Sequence, residues 1–207
     1  MRSLAILASS LFMLAACPSA SAHVTRPQPR AAPKSEARQR LVVLTDIGGE
    51  PDDSESLVRL MLYSNQIDIE GLVATTSVWM KHESHPEAIS TVIDAYGKVR
   101  PNLSLHEAGF PKPETLLKKL ATGQRHYGVA GIGRGKESDG SRLIVQALAS
   151  DDRRPLWVVA WGGINTLAQA MYTIRETRSP AEVRKLAAKL RVYAISDQDD
   201  AGAWLRK

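Results

Sequence analysis

Short apolar runs alternate with amphipathic stretches along most of this chain, and their order predicts the fold. Leu41-Val42-Val43-Leu44 is continuously apolar, as a strand covered on both faces of a sheet must be. Ser54 to Asn65 carries Leu57, Leu60, Met61 and Leu62 at helical spacing, and Ile67 to Thr75 returns to a strand pattern. Pro86 to Val99 predicts a second long helix. A short strand near Leu103 to His106, a helix over Glu114 to Ala121 and a glycine-rich loop over Gly123 to Gly140 come next. Arg142 to Ala149 is expected to be helical and Pro155 to Ala160 a strand. Ile164 to Arg175 and Pro180 to Leu190 are expected helices, and Arg191 to Ser196 a last strand. This alternation predicts an α/β fold: an open, mainly parallel, Rossmann-like sheet with helices on both faces and right-handed crossovers.

The first forty residues break the pattern. Arg2 precedes the apolar run Leu4 to Ala16, about the length of a signal-peptide core and too short to span a bilayer. Ala20-Ser21-Ala22 offers a cleavage site before His23, so residues 1–22 are expected to be a signal peptide. An overlapping reading is Leu14-Ala15-Ala16-Cys17, which resembles the lipobox of bacterial lipoproteins and would place a lipid anchor on Cys17. Either way the chain is expected to be exported, to the periplasm or beyond. Residues 23–40, rich in Pro, Ala and Arg, predict a disordered basic linker ahead of a folded part spanning 41–207.

Composition narrows the chemistry. Cys17 is the only cysteine, which removes internal disulfides, cysteine catalysis and a cysteine-ligated zinc site from the mature fold. The formal charge of +5 is carried by Arg2 and the linker, leaving 41–207 neutral, so nucleic acid is not an expected partner. No later stretch is long and apolar enough to span a membrane.

The candidate chemistry lies just after the first strand, in Thr45-Asp46-Ile47-Gly48-Gly49-Glu50-Pro51-Asp52-Asp53. Sites in open α/β sheets form at the carboxyl ends of strands, and Asp46, Asp52 and Asp53 would converge there after a glycine turn. Crowded carboxylates need a compensating positive charge. Hard oxygen donors without His or Cys suit Ca²⁺, and less well Mg²⁺. The same residues also fit a helix start, with Asp52 as N-cap and Glu55 three residues on. A second acidic turn, Ser196-Asp197-Gln198-Asp199-Asp200, ends the last predicted strand; there Gln198 and Asp199 could read substrate hydroxyls or simply cap a helix. Trp79 offers an aromatic face for a sugar ring, or a cap on the core. The glycines from Gly128 to Gly135 match no phosphate-loop fingerprint, and His82, His85, His106 and His126 lack ligand spacing.

These segments resemble the nucleoside hydrolases. Thr-Asp-Ile-Gly-Gly-Glu-Pro-Asp-Asp at 45–53 is similar to their Asp-Thr-Asp-Pro-Gly-x-Asp-Asp loop, two residues longer. Ile69 to Thr76 is similar to their second strand, and Trp161-Gly162-Gly163-Ile164-Asn165-Thr166-Leu167-Ala168 to their Asn-containing turn. Closer still is a branch of secreted, nucleoside-hydrolase-like proteins described as cellulose-binding. It shares the acidic loop, the Asp-Ala-Tyr-Gly-Lys-Val-Arg at 94–100 and the Ser-Asp-Gln-Asp-Asp-Ala-Gly at 196–202. The resemblance implies Asp46, Asp53 and the Trp161 carbonyl as calcium ligands and Asp52 as the base activating a metal-bound water. Trp79, Asn165, Gln198 and Asp199 are the candidate substrate contacts. The implied activity is hydrolysis of N-glycosidic or related glycosyl bonds in a nucleoside, glycoside or polysaccharide. The alternative is a non-catalytic carbohydrate- or cellulose-binding protein on the same fold. Ser77-Val78-Trp79-Met80 stands where the hydrolases place a ribose-gripping Asn. Their last metal carboxylate lies beyond Lys207, so the domain is expected to be incomplete.

Overall fold

The computed structural model of the protein describes residues 38–207. The signal segment, Cys17 and all of the expected linker before Arg38 lie outside them. Among the described residues no helix is long and apolar enough to cross a membrane.

Five parallel strands form one sheet in the order β3-β2-β1-β4-β5, with β1 spanning Gln39–Thr45, β2 Ile67–Ala74, β3 Leu120–Thr122, β4 Leu156–Ala160 and β5 Leu190–Ala194. The fold class expected from the hydrophobic pattern is the one found. The apolar run of β1 occupies the centre, and Val42, Val43 and Leu44 are completely buried. Burying each such side chain stabilises the fold by roughly 1.5–3 kcal/mol. Alternation along the strand sends Val42 and Leu44 to one face, where they meet Val158, Ile144 and Leu167. Val43 goes to the other face and meets Leu57, Leu72 and Ile93.

Helices α1 (Pro51–Leu62) and α2 (Pro86–His106) supply the second of those faces. A short helix α3 (Pro113–Leu117) precedes β3. Helices α4 (Asp139–Ala149) and α5 (Asn165–Thr177) supply the first face, followed by α6 (Pro180–Lys189) and a short α7 (Ala201–Leu205). Helices α4 and α6 open with capping boxes, from Ser138 with Ser141 and Ser179 with Glu182.

Four local expectations are corrected. The segment Leu103 to His106 is the end of α2, not a strand. Leu103 lies seven residues beyond Tyr96, on the buried stripe begun by Ile89 and Ile93, and Pro101 is tolerated on the exposed side. The helix expected over Glu114 to Ala121 stops at Leu117, because Leu120–Thr122 pair with Leu72–Ala74 to make the sheet edge. The linker does not reach residue 40: Gln39 and Arg40 already belong to β1, and Arg40 is buried. Finally, α1 begins at Pro51 with Glu50 in the cap position and no side-chain cap bond, so Asp52 sits in the first turn and is not the N-cap.

Candidate functional site

The strand order reverses between β1 and β4, since the chain moves outward through β2 and β3 and then returns to the other side of β1. Ligands of open parallel sheets bind at the carboxyl ends of strands flanking such a point. The acidic loop and the Trp161-Gly162 turn both lie there.

The loop is held tightly. Gly48 has φ +103°, a conformation that side chains rarely adopt, and a Cβ on it would come within 2.9 Å of the His85 ring. The Gly49 amide donates to the Asp46 carbonyl at 3.1 Å, closing the turn. The Thr45 hydroxyl accepts from the Ile47 amide at 3.1 Å and donates to Asp53 Oδ2. Asp46 and Asp53 are 7% and 6% exposed, and neither forms an ion pair among the described residues. Burial pushes the Asp53 carboxyl up to about 7. The Thr45 hydroxyl opposes that rise, while the charge of Asp46, a hydrogen bond with it and the charge of Asp52 add to it. Asp52 itself faces solvent.

The β4 turn closes the other side. The Trp161 amide donates to the Leu44 carbonyl at 2.8 Å. A Cβ on Gly162 would lie 2.7 Å from Asp46 Oδ1, and one on Gly163 2.6 Å from Asp199 Oδ2. Two consecutive glycines therefore let the backbone pass between two carboxylates. The Trp161 carbonyl accepts from Gln198 Nε2 at 2.7 Å.

The remaining sequence-derived candidates divide into tethered and open groups. Asp199 is buried and accepts from the Asn165 amide at 2.9 Å and the Ala201 amide at 3.0 Å, so it caps α5 and steadies α7. Burial raises its carboxyl despite those bonds. Asn165 is buried, its Nδ2 donating to the His126 carbonyl at 2.8 Å, while its Oδ1 has no partner. Gln198 Oε1 likewise has none. Trp79 is 68% exposed on the loop after β2, which the Val78 amide ties to the Gln198 carbonyl at 2.7 Å.

Sequence reasoning missed several participants. Thr45, the polar end of an otherwise apolar strand, was the readable one. His85 was grouped with the scattered histidines, yet it lies over Gly48 with Nδ1 2.6 Å from Glu87 Oε1. Tyr127 carries Lys81 over its ring at 5.2 Å, and its hydroxyl is pushed up by burial and by Asp199 and Asp200. The glycine-rich loop is anchored by side-chain amides: Gln124 donates to the Gly131 and Lys136 carbonyls, and Gln169 bonds both ways with Gly133. The Val129 amide is taken by Asp200 Oδ1 at 2.7 Å, which leaves that loop a poor phosphate cradle.

As a cation site the arrangement is partial. Asp46 and Asp53 supply adjacent oxygen donors, but no group of three or more His, Cys, Asp or Glu side chains among the described residues is placed to hold a metal.

Comparison with known proteins supports the resemblance. Residues 40–207 match a family model described as the cellulose-binding Sde182, nucleoside hydrolase-like domain. A solved structure of a nucleoside hydrolase-related protein from Saccharophagus degradans, associated with carbohydrate metabolism, is similar with a TM-score of 0.79 and 45% identity. The match covers 81% of this chain and 41% of that one, so this chain spans less than half of that protein's length. No curated protein matches.

Proposed function

The chain belongs to the cellulose-binding Sde182, nucleoside hydrolase-like domain family, and from that membership we propose an exported, calcium-dependent hydrolase of N-glycosidic or related glycosyl bonds. The observation supporting this reading is the pair Asp46 and Asp53, buried together at the β1 end with Asp52 exposed beside them. Burial raises the Asp53 carboxyl and the charge of Asp46 adds to that rise; a hard divalent cation would relieve both. In this reading Asp46 and Asp53 would hold calcium, and the chemistry it would supply there is activation of a water. Asp52 would take a proton from the attacking water. The bond from water to the anomeric carbon would form as the glycosyl C–N or C–O bond breaks with oxocarbenium character, and the aglycone would leave and take up a proton from solvent. The Trp161 carbonyl would join the ligand set through the lone pair that Gln198 Nε2 does not use. Trp79 stacks on the sugar, Gln198 reads its hydroxyls, and Asn165 and Asp199 hold the wall behind them.

A second reading, a non-catalytic carbohydrate-binding protein, has its own support. Among the described residues the acidic pair lacks a third side-chain ligand.

Calorimetric Ca²⁺ titration of the protein and of Asp53→Asn, with turnover assays on nucleosides and glycosides, separates the two. Saturable binding lost in Asp53→Asn, with turnover lost in Asp52→Asn, is the result expected of the hydrolase. Retention on cellulose with no turnover of any glycoside favours the binding protein. A folded sample with no calcium binding, no turnover and no retention would reduce the acidic loop to a helix start.

A further inference from the structure

A second concave site lies at the opposite end of the sheet from the carboxylates. A cleft of about 680 Å³ opens between the turn after α4 and one face of α6. Glu182, Lys185, Leu186 and Lys189 line it at the three- and four-residue spacing of a single helical stripe. Arg153 closes one wall, and Arg178, at the start of the α5–α6 connection, closes another.

The charges in this cleft are unequally spent. Asp152 is occupied by Arg154 at 2.6 Å and Arg40 at 3.5 Å. Glu182 Oε2 is held by the Ser179 amide at 3.0 Å and hydroxyl at 2.7 Å, completing the α6 capping box. Among the described residues Arg153, Arg178 and Lys185 form no salt bridge. Lys189 donates to the Leu148 and Ser150 carbonyls at 2.7 and 2.8 Å, which uses two of its three N–H bonds and none of its charge. Glu182 keeps its charge as well, since only neutral Ser179 groups bond it. Four cations therefore face two carboxylates, Asp151 and Glu182, and the cleft holds a net positive excess. Burial, followed by the like charge of Arg40, pushes the Lys189 ammonium down, while Asp152 and Asp151 oppose that.

We propose that this cleft binds a small oxyanion, either a free phosphate or the carboxylate of a sugar acid, through Lys185, Arg178 and Arg153, with Lys189 at its floor. The lining suits such a ligand: guanidinium and ammonium groups give charge-assisted hydrogen bonds to planar or tetrahedral oxyanions. Its volume admits a monosaccharide-sized molecule. The site does not depend on the hydrolase reading, because no residue of the crevice lines it.

The test is calorimetric titration of the full chain in a phosphate-free buffer with sodium phosphate in one series and glucuronate in another. Saturable binding is expected in at least one series, and the series that saturates identifies the ligand class. Lys185→Ala, at an exposed position, is expected to weaken binding about fivefold. Lys185→Glu is expected to abolish it, Asp151→Asn to tighten it, and Asp53→Asn to leave it unchanged. Unaltered thermal melting of the Lys185 variants shows that folding is not the cause. The proposal is overturned if neither ligand saturates by about 10 mM, or if Lys185→Glu binds as the parent does.

Discussion

The two ends of the central sheet treat buried charge in opposite ways. At the amino end, Arg40 is 1% exposed and fully partnered: Glu70 Oε1 lies at 2.9 Å, Asp152 Oδ2 at 3.5 Å, and the Ala147 carbonyl accepts at 2.8 Å. Arg154 reinforces it, bridging Asp152 and Asp68 at 2.6 Å each. At the carboxyl end, Asp46 and Asp53 are buried against each other with a threonine hydroxyl for company and no cationic side chain. The same residue type is consequently driven both ways. The Arg154 and Arg40 guanidiniums hold Asp152 well below the usual carboxylate range, while burial and Asp46 push Asp53 up to about 7. A fold that pairs its buried charge at one end and leaves buried carboxylates unpaired at the other is withholding stability where a ligand or reaction would use it.

The largest expected effect lies at the paired end. Arg40→Ala removes a guanidinium that ties β1 to Glu70 of β2, to the α4 terminus and to the turn before β4. It leaves Glu70 and buried carbonyls without their donor, and a loss of about 3 kcal/mol in urea unfolding is expected. A loss below about 1 kcal/mol would mean that this network behaves like an exposed ion pair, and the contrast between the ends would weaken.

At the unpaired end the sign reverses. The folded Asp53 carboxyl titrates near 7 against 3.8 for the free side chain, so between those values the folded state binds more protons than the unfolded one. Stability from this group is fully present below about pH 4 and is lost as pH rises through about 7. Asp53→Asn keeps an acceptor for the Thr45 hydroxyl and has no charge to bury. It is expected to raise stability by about 2 kcal/mol at pH 8 and to change little at pH 4. Thermal melting at the two pH values measures both, and a variant less stable than the parent at pH 8 would show that the pair is not strained.

How much of this was legible in the chain follows from the range of the interactions involved. The β1 run, the βα alternation and the acidic loop are local patterns, and each lies where its pattern put it. Leu103 was misread because two leucines two apart fit a strand locally, and only the stripe through Ile89, Ile93 and Tyr96 shows a helix continuing past Pro101. Leu120–Thr122 form a strand only because β2 is there to pair with, a long-range fact that three residues cannot announce. At the site, Asp46 and Asp53 were readable from the loop. The tethering of Asp199 to the Asn165 amide and of the Trp161 carbonyl to Gln198 spans more than thirty residues, and composition carries no trace of it. Arg40 looked like one more linker arginine for the same reason: its partners lie 30 and 110 residues away.

The smallest effect is also the one that sets the two ends directly against each other. Asp152 is an acid whose folded pKa is depressed, mainly by its hydrogen bonds to Arg154, so its contribution is present above about pH 4 and is lost as pH falls through the folded value. Asp152→Asn is expected to lower the melting midpoint at pH 7, by less than Arg40→Ala does. The difference from the parent should shrink towards pH 3, as the Asp152 carboxylate of the parent's unfolded state begins to take up protons while the folded one stays charged. Asp53→Asn should do the reverse, gaining its advantage as pH rises. Measured side by side from pH 3 to 8, the two aspartate variants should therefore diverge from the parent in opposite directions as pH increases. Parallel curves in metal-free buffer would mean that the sheet's two ends share one electrostatic environment, and that Asp46 and Asp53 are not strained in the absence of a cation.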